Sequence, residues 1–413
     1  MKTNHLLWLA LSYGAAVLQA CGGGAGGHDH HGRPVRKWTQ EEINELEHKW
    51  GTDWSFSGIS TFAHLKHVKC LTTPNEQFDI AIIGAPFDTA VSYRPGARFG
   101  PRAIRAASAR QLPYRGFNAR ANINPFLNWA KIIDCGDIPV SPMDNEVALK
   151  QMTIAFEELG TRNVMSTSVL DKPKLITLGG DHSLAFPALR ALNKIHGGPV
   201  RVLHFDAHLD TWHPAKYPNA WASEQASFNH GSVFWLAGQE GLIVANGTKG
   251  GKPSVHAGLR TRLSGTDFGD YDDDDAQGWV RISADDMDDK GTAGVIAGIM
   301  DTLGTEDPVY LSLDIDVLDP AFAPGTGTPE PGGWTTRELI RVLRGIEGLN
   351  LVGADIVEVA PAYQNAGEET ALAAAQVVYE LLSSMVKRGI ADHHKARVVP
   401  EEDKEGADVK DEL

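Results

Sequence analysis

Between Phe78 and Val357 the chain alternates short apolar runs with longer stretches of helical spacing. The runs are Ile80–Ile83, Lys131–Ile133, Leu175–Leu178, Val200–Phe205, Val255–Gly258, Val309–Ile315 and Val352–Val357. Most are dense in Val, Ile and Leu without clean polar alternation, the pattern of strands covered on both faces. Between them, Asn145–Leu159, Ala185–Ile195, Thr336–Ile346 and Glu368–Lys387 read as helices. The alternation predicts an α/β fold: a three-layer single domain whose mostly parallel central sheet is flanked by helices. Upstream, Thr39 followed by Glu42 predicts a capped amphipathic helix reaching Trp50.

In open parallel sheets, ligands bind beyond the carboxyl ends of the strands. Polar clusters follow three of the runs directly. LITLGGDHS (175–183) ends in Asp181 and His182, VLHFDAHLD (202–210) carries Asp206, His208 and Asp210, and VYLSLDIDVLDP (309–320) carries Asp314 and Asp316. Alternate positions of an extended strand share a face, so each DxD or DxHxD set can converge while the chain stays extended; a turn would relax that geometry without preventing convergence. Converging carboxylates repel, and several at one place need cations. Four aspartates balance two divalent ions, with two imidazoles completing the shells, and an oxygen-rich set suits Mn²⁺ better than a thiolate-preferring metal. Two such ions roughly 3.5–4 Å apart share a water and hold it as hydroxide.

GGDHS (179–183), DAHLD (206–210) and SLDIDVLDPAFAPGTGTPEPGG (312–333) resemble the signatures of the ureohydrolase family of arginases, agmatinases and guanidinobutyrases. The likeness runs from about Phe56 to Lys387. It includes PFDTAVSYRPGARFGPRAIR (86–105), HAGLRTRLSG (256–265) and DIVEVAPAYQ (355–364), which look more like agmatinases and guanidinobutyrases than arginases. The resemblance implies an arginase-like fold and two Mn²⁺ ions. One would be held by His182, Asp206, Asp210 and Asp314, the other by His208, Asp206, Asp314 and Asp316, with Asp206 and Asp314 bridging. It further implies attack of the shared hydroxide on a guanidinium carbon, with Asp210 passing a proton to the leaving amine. Glu358 would hold the guanidinium, and His230 would shuttle protons from a flexible loop. Trp212 stands where arginases place an Asn that helps bind the amino acid's carboxylate, which disfavours arginine. Agmatinases tend to carry Tyr at that position and Asp where Asn229 stands. Trp212 suits an ammonium through cation–π attraction or packs an aliphatic chain. The expected activity is hydrolysis of agmatine to urea and putrescine, and the two departures from agmatinases make 4-guanidinobutanoate a close rival substrate. Deacetylase-type amide hydrolysis is a more distant rival, and a non-catalytic metal-binding or polyamine-regulatory role is the reading from another class. By family analogy the chain forms homotrimers or hexamers.

Composition adds limits. The 413 residues are 42% hydrophobic and 22% charged, room for one large α/β domain with tails. A formal net charge of −15 argues against nucleic acid or an anionic membrane surface as partner and suits a cationic substrate or metal. The first 20 residues pair Lys2 with an apolar stretch from Leu6 to Leu18 and small residues near Ala20, the pattern of a secretory signal peptide. That stretch is too short to span a membrane, and no later segment spans one. Leu18-Gln19-Ala20-Cys21 also fits a lipoprotein site, but the chain stops at Lys410-Asp411-Glu412-Leu413, a KDEL signal read by its retrieval receptor in the secretory pathway. The expected location is the endoplasmic reticulum lumen. The expected layout is signal peptide 1–20, a Gly/His-rich arm and extension 21–75, a catalytic domain 76–392 and an acidic tail 393–413. Cys70 and Cys135 are free or paired, which spacing does not decide, and Asn246-Gly247-Thr248 is a glycosylation sequon.

Overall fold

The computed structural model describes residues 38–217, 223–244 and 253–398. The stretches read as a signal peptide, as an arm with His28, His30 and His31, as the Asn246 sequon and as a KDEL signal lie outside the described residues. Contacts divide the chain into two units, 1–53 and 54–413. In the smaller, helix α1 (Gln40–Trp50) starts with the expected capping box between Thr39 and Glu42.

The larger unit holds an eight-stranded sheet. Its strands are β1 (Ile80–Ala85), β2 (Ile132–Asp137), β3 (Lys174–Gly179), β4 (Arg201–Phe205), β5 (Ser254–Leu259), β6 (Trp279–Ser283), β7 (Pro308–Asp314) and β8 (Asn350–Val357). They lie in the order β2-β1-β3-β8-β7-β4-β5-β6, and every pairing is parallel. Helices α2 (Gly100–Ala107), α3 (Asn145–Gly160), α4 (Ala185–His196), α5 (Glu224–Ser227), α6 (Val233–Gln239), α7 (Gly269–Gln277), α8 (Asp286–Leu303), α9 (Thr336–Gly345) and α10 (Glu369–Val398) complete the order. Two hydrophobic clusters lie on the sheet. One contains Ile80, Ile82, Leu203 and Leu311 with α9 and α10; the other contains Ala81, Ile83, Val202 and Tyr310 with α3 and α4. Alternate residues of one strand thus feed opposite layers, which is why these runs lack a polar face. Among the described residues no helix is long and apolar enough to cross a membrane.

Three differences from the sequence reading have local causes. Strand β6 was not expected, because WVRIS places a half-exposed Val280 beside Arg281 at the sheet edge. Helix α8 was not expected either: its four aspartates and three glycines hide the period, and Gly291 breaks it with φ 65°. Helix α10 runs past Lys387, and past the start of the expected acidic tail, to Val398.

The packed unit also begins before residue 76. The Phe62 amide donates to Asp134 Oδ2 at 2.8 Å, and Cys70 is bonded to Cys135 in β2, with Cα atoms 5.1 Å apart across 65 residues of sequence. Closing a loop of that length stabilises by about 4 kcal/mol in the chain-entropy account. Cys70→Ser/Cys135→Ser is expected to lower the melting temperature by several degrees while leaving the sheet folded; an unchanged transition would mean the bond contributes nothing.

Candidate metal centre

The site lies at the carboxyl edge of the sheet. Strand β3 ends in the glycine pair of GGDHS. A Cβ on Gly180 would lie 1.8 Å from the Phe87 carbonyl oxygen, and one on Gly179 would lie 2.6 Å from Val357 Cγ1. Only glycines let this turn sit between the ends of β1 and β8, and the turn delivers His182. Its Nδ1 faces Asp210 Oδ2 at 3.0 Å, Asp206 Oδ2 at 3.1 Å and Asp314 Oδ2 at 3.5 Å. Nδ1 is buried without a hydrogen-bond partner, although three carboxylates surround it. Its other nitrogen, Nε2, is 2.7 Å from Ser312 Oγ, which donates to Asp355 at 2.8 Å.

A second group forms beside the first. His208 Nδ1 lies 3.1 Å from Asp206 Oδ1 and 3.2 Å from Asp316 Oδ2. Asp206 belongs to both groups, and all six expected ligands come together. The donor atoms of His182, His204, Asp206 and Asp210, and those of Asp206, His208 and Asp316, are close enough to hold a metal ion. His204, not foreseen as a neighbour, is turned to other work: one ring nitrogen faces Asp206 and the other His256.

The means of convergence differs from extended alternation. Strand β4 stops at Phe205, and the chain then turns through Asp210, which adopts φ 54°. Strand β7 stops at Asp314, whose carboxylate accepts the Asp316 amide at 2.8 Å and caps a 3₁₀ turn over Ile315–Val317. Arg260, from HAGLRT, holds that turn by donating to the carbonyls of Asp316 and Val317. A left-handed non-glycine residue costs on the order of 1–3 kcal/mol and persists where its surroundings over-determine it. Of the six described non-glycine residues with positive φ, two belong to this site, Asp210 and Glu358, the latter at φ 60°.

Electrostatics describe a cluster short of positive charge. Burial, then the charges of Asp316 and Asp206, push the Asp314 carboxyl well above the usual range. Burial and Asp206 push Asp316 up to about 6. Burial works against ionisation of Asp206, yet His204, His182 and His208 hold it well below that range. Burial likewise works against a charged His182, yet Asp206, Asp210 and Asp314 carry it well above the usual imidazole range. Four carboxylates and two imidazoles with one shared aspartate are compatible with a dinuclear metal centre.

Glu358 follows β8 directly. Its Oε1 accepts the His182 amide at 2.9 Å and lies 3.2 Å from His230 Nδ1, while Oε2 is buried without a partner. The resemblance places His230 on a flexible loop; here it is buried and tied on every side. Its amide donates to the Ala90 carbonyl, and its Nε2 accepts from the Ser92 amide at 3.0 Å and meets the Ser92 hydroxyl at 2.7 Å. An amide can only donate, so the neutral ring carries its hydrogen on Nδ1, toward Glu358. Trp212 and Tyr217 wall a cavity of about 110 Å³ with Ser92, His208, Asp210, His230, Asp314 and Thr328. Asn229 turns its amide to the Ala226 carbonyl. A larger cavity of about 570 Å³, between α3, α4 and α6, lies away from the carboxylates, so size alone does not locate the chemistry.

The supporting residues Ser312, Asp355, His204 and Ser92 were not singled out from sequence. Ser312 had a visible signal, two positions before Asp314 on the same strand; the others meet the site only through the fold.

The family model described as "Arginase family" matches residues 78–383. "Putative agmatinase 1" of Schizosaccharomyces pombe is 50% identical over 343 residues, 81% of this chain and 84% of the relative. The agmatinase of Chromobacterium violaceum is 38% identical over 341 residues, 82% of this chain and 92% of the relative. Among solved structures, the proclavaminate amidino hydrolase of Streptomyces clavuligerus superposes with a TM-score of 0.69 at 34% identity, covering 81% of this chain and all (100%) of that one.

Proposed function

The chain belongs to the arginase family as an agmatinase-like ureohydrolase, and from that premise we propose agmatine as its substrate and manganese as its metal. The observation that carries the reading is the position of Glu358. Its free, buried Oε2 stands beside His182, at the edge of two ligand groups that share Asp206. A planar guanidinium needs a carboxylate to fix its charge and its plane, and Glu358 offers one where the ligands converge.

His182, Asp206, Asp210 and Asp314 would hold one ion, and His208, Asp206, Asp314 and Asp316 the other. When bound, the pair supplies Lewis-acid charge and a nucleophilic hydroxide at neutral pH. Asp210, whose φ of 54° turns its carboxylate into the cluster, is proposed to pass a proton to the leaving amine. His230 is proposed to take up a proton at Nε2 once Ser92 withdraws its two hydrogens. Ser92 is exposed, so the route Ser92, His230, Glu358 leads from solvent to the guanidinium.

The cavity wall supports agmatine over its acidic rival. Among the described residues its lining includes Asp210 and Asp314 and no lysine or arginine, so no permanent cation there pairs with the carboxylate of 4-guanidinobutanoate. Trp212 and Tyr217 supply the aromatic side chains of that lining, the residue type that attracts an ammonium. Purified chain loaded with Mn²⁺ is expected to release urea from agmatine with kcat/KM at least about 100-fold above that for 4-guanidinobutanoate or arginine, a difference of about 2.7 kcal/mol. Faster release from 4-guanidinobutanoate would reassign the tail, and no urea from any of the three, with metal shown to be bound, would end the reading.

A further inference from the structure

Behind the ligand cluster runs a line of buried ionisable side chains that the proposed chemistry does not use. His204 Nε2 is 2.8 Å from Asp206 Oδ2. His204 Nδ1 is 2.7 Å from Nδ1 of His256, whose Nε2 is 3.1 Å from Asp274 Oδ1. Asp274 is held in turn by the Thr211 hydroxyl at 2.8 Å and the Arg281 guanidinium at 2.8 Å. The backbone builds this line. His204 in β4 is the register partner of His256 in β5, and His256 is the register partner of Arg281 in β6. Asp274 enters from α7, between His256 and Arg281. The line therefore crosses three neighbouring strands, from the sheet edge to the shared aspartate.

The rings have little freedom. His256 lies flat on Trp279, with centroids 3.9 Å apart and planes 18° apart, and Phe234 packs on His204 at 4.6 Å. His204, His256 and Asp274 are all 0% exposed, so water does not replace a lost partner, and an unpaired buried polar group is costly.

We infer that Asp274 is a positioning residue of the metal centre, acting through His256 and His204 on the Asp206 carboxylate. A carboxylate's terminal torsion is soft, and Asp206 must present both oxygens, one to each ligand group. Oδ1 is fixed by the His208 amide at 2.6 Å, and Oδ2 is fixed by His204. His204 and His256 each face a carboxylate that can only accept, so each ring donates outward, and the contact between them closes when the pair holds one hydrogen more than two neutral imidazoles carry. Remote partners of this kind orient ligands and tune affinity. Helix α7, with the acidic sequence GDYDDDDAQ, thereby acquires a reason for carrying Asp274 inward.

This inference rests on Asp206 being a metal ligand, and the test separates the two. Full-length wild type, Asp274→Asn, His256→Gln and the double variant are stripped with chelator and titrated with Mn²⁺, following ions bound, affinity, metal-free melting temperature and KM. Each single variant is expected to weaken Mn²⁺ binding about 10–100-fold, with KM for agmatine at saturating metal unchanged. The double variant is expected to be no worse than the weaker-binding single, because both act along one line. Arg281→Gln, partly exposed, is expected to weaken binding by a smaller factor and carries the test should Asp274→Asn not fold. Wild type binding two ions beside variants of unchanged affinity overturns the inference alone, as do losses that simply multiply in the double variant. Wild type binding no ions overturns the metal reading, and the inference with it.

Discussion

Asp314→Ala is expected to abolish urea release, lowering kcat/KM by at least about 10³-fold, a loss of more than about 4 kcal/mol of transition-state stabilisation. The reason is position. One Asp314 oxygen faces the His182 group at 3.5 Å, and the other caps the turn that carries Asp316 into the His208 group. Removing it strips a donor from one group and loosens a donor of the other. The metal-free protein should not suffer in proportion. Burial, Asp316 and Asp206 already make an ionised Asp314 unfavourable. A carboxyl whose pKa is raised on folding costs stability as pH rises above its unfolded value, so its removal relieves a penalty at neutral pH. The loss should appear only on adding Mn²⁺. Wild type, at a hundred times its dissociation constant, gains about 2.7 kcal/mol and melts higher, whereas the variant gains little. Asp314→Asn, which keeps an oxygen for the Asp316 amide, separates turn from ligand: it should keep the metal-free melting point and still lose metal and activity. Turnover near wild type in either variant would contradict the proposed part of Asp314 in holding metal.

How far the chain could be read before folding depended on what each residue was buried against. Strands β1 to β5, β7 and β8 were legible because a parallel strand under helices on both faces must be largely apolar. The edge strand β6 was not, since Arg281 there answers to Asp274 rather than to a core. Helix α7 was not singled out, because its buried residues are charged, Asp270 paired with Lys216 and Asp274 with Arg281. At the site, residue types and spacings pointed to six ligands, and the fold gathers all six. What spacing did not contain was the mode of gathering. Alternation along a strand was the simplest geometry, yet the chain spends left-handed conformations at Asp210 and Glu358 and a capped turn at Asp314 to aim the same side chains. Nor did it contain His204, His256 and Asp274 as a line, because register between β4, β5 and β6 creates it. The cysteine pair was open for the same reason: only the approach of the segment before β1 to β2 brings Cys70 onto Cys135.

Glu358→Gln should separate substrate binding from metal binding. Gln has nearly the same shape and still offers an oxygen to the His182 amide, so the Gly180–Glu358 turn and the two ligand groups are expected to survive, with two ions retained. What changes is the atom at the Oε2 position, which becomes an amide donor facing a guanidinium that can only donate. Leaving one partner of a buried charge pair unanswered costs 2–5 kcal/mol, so kcat/KM for agmatine should fall about 10²–10³-fold. The fall should appear in both constants, because the carboxylate holds the cation in the ground state and aims its carbon during attack. Stability provides the internal control. Burial and the charge of Glu358 push Asp181 up to about 7, so folding with Asp181 ionised is penalised as pH rises through that value. Removing the Glu358 charge lowers the Asp181 pKa toward the ordinary range, and the metal-free variant should melt no lower than wild type at pH 8. Two ions bound, an undiminished melting point and a hundredfold loss of activity together assign Glu358 to the guanidinium. Activity within tenfold of wild type would remove it from that role and leave the buried Oε2 without a function.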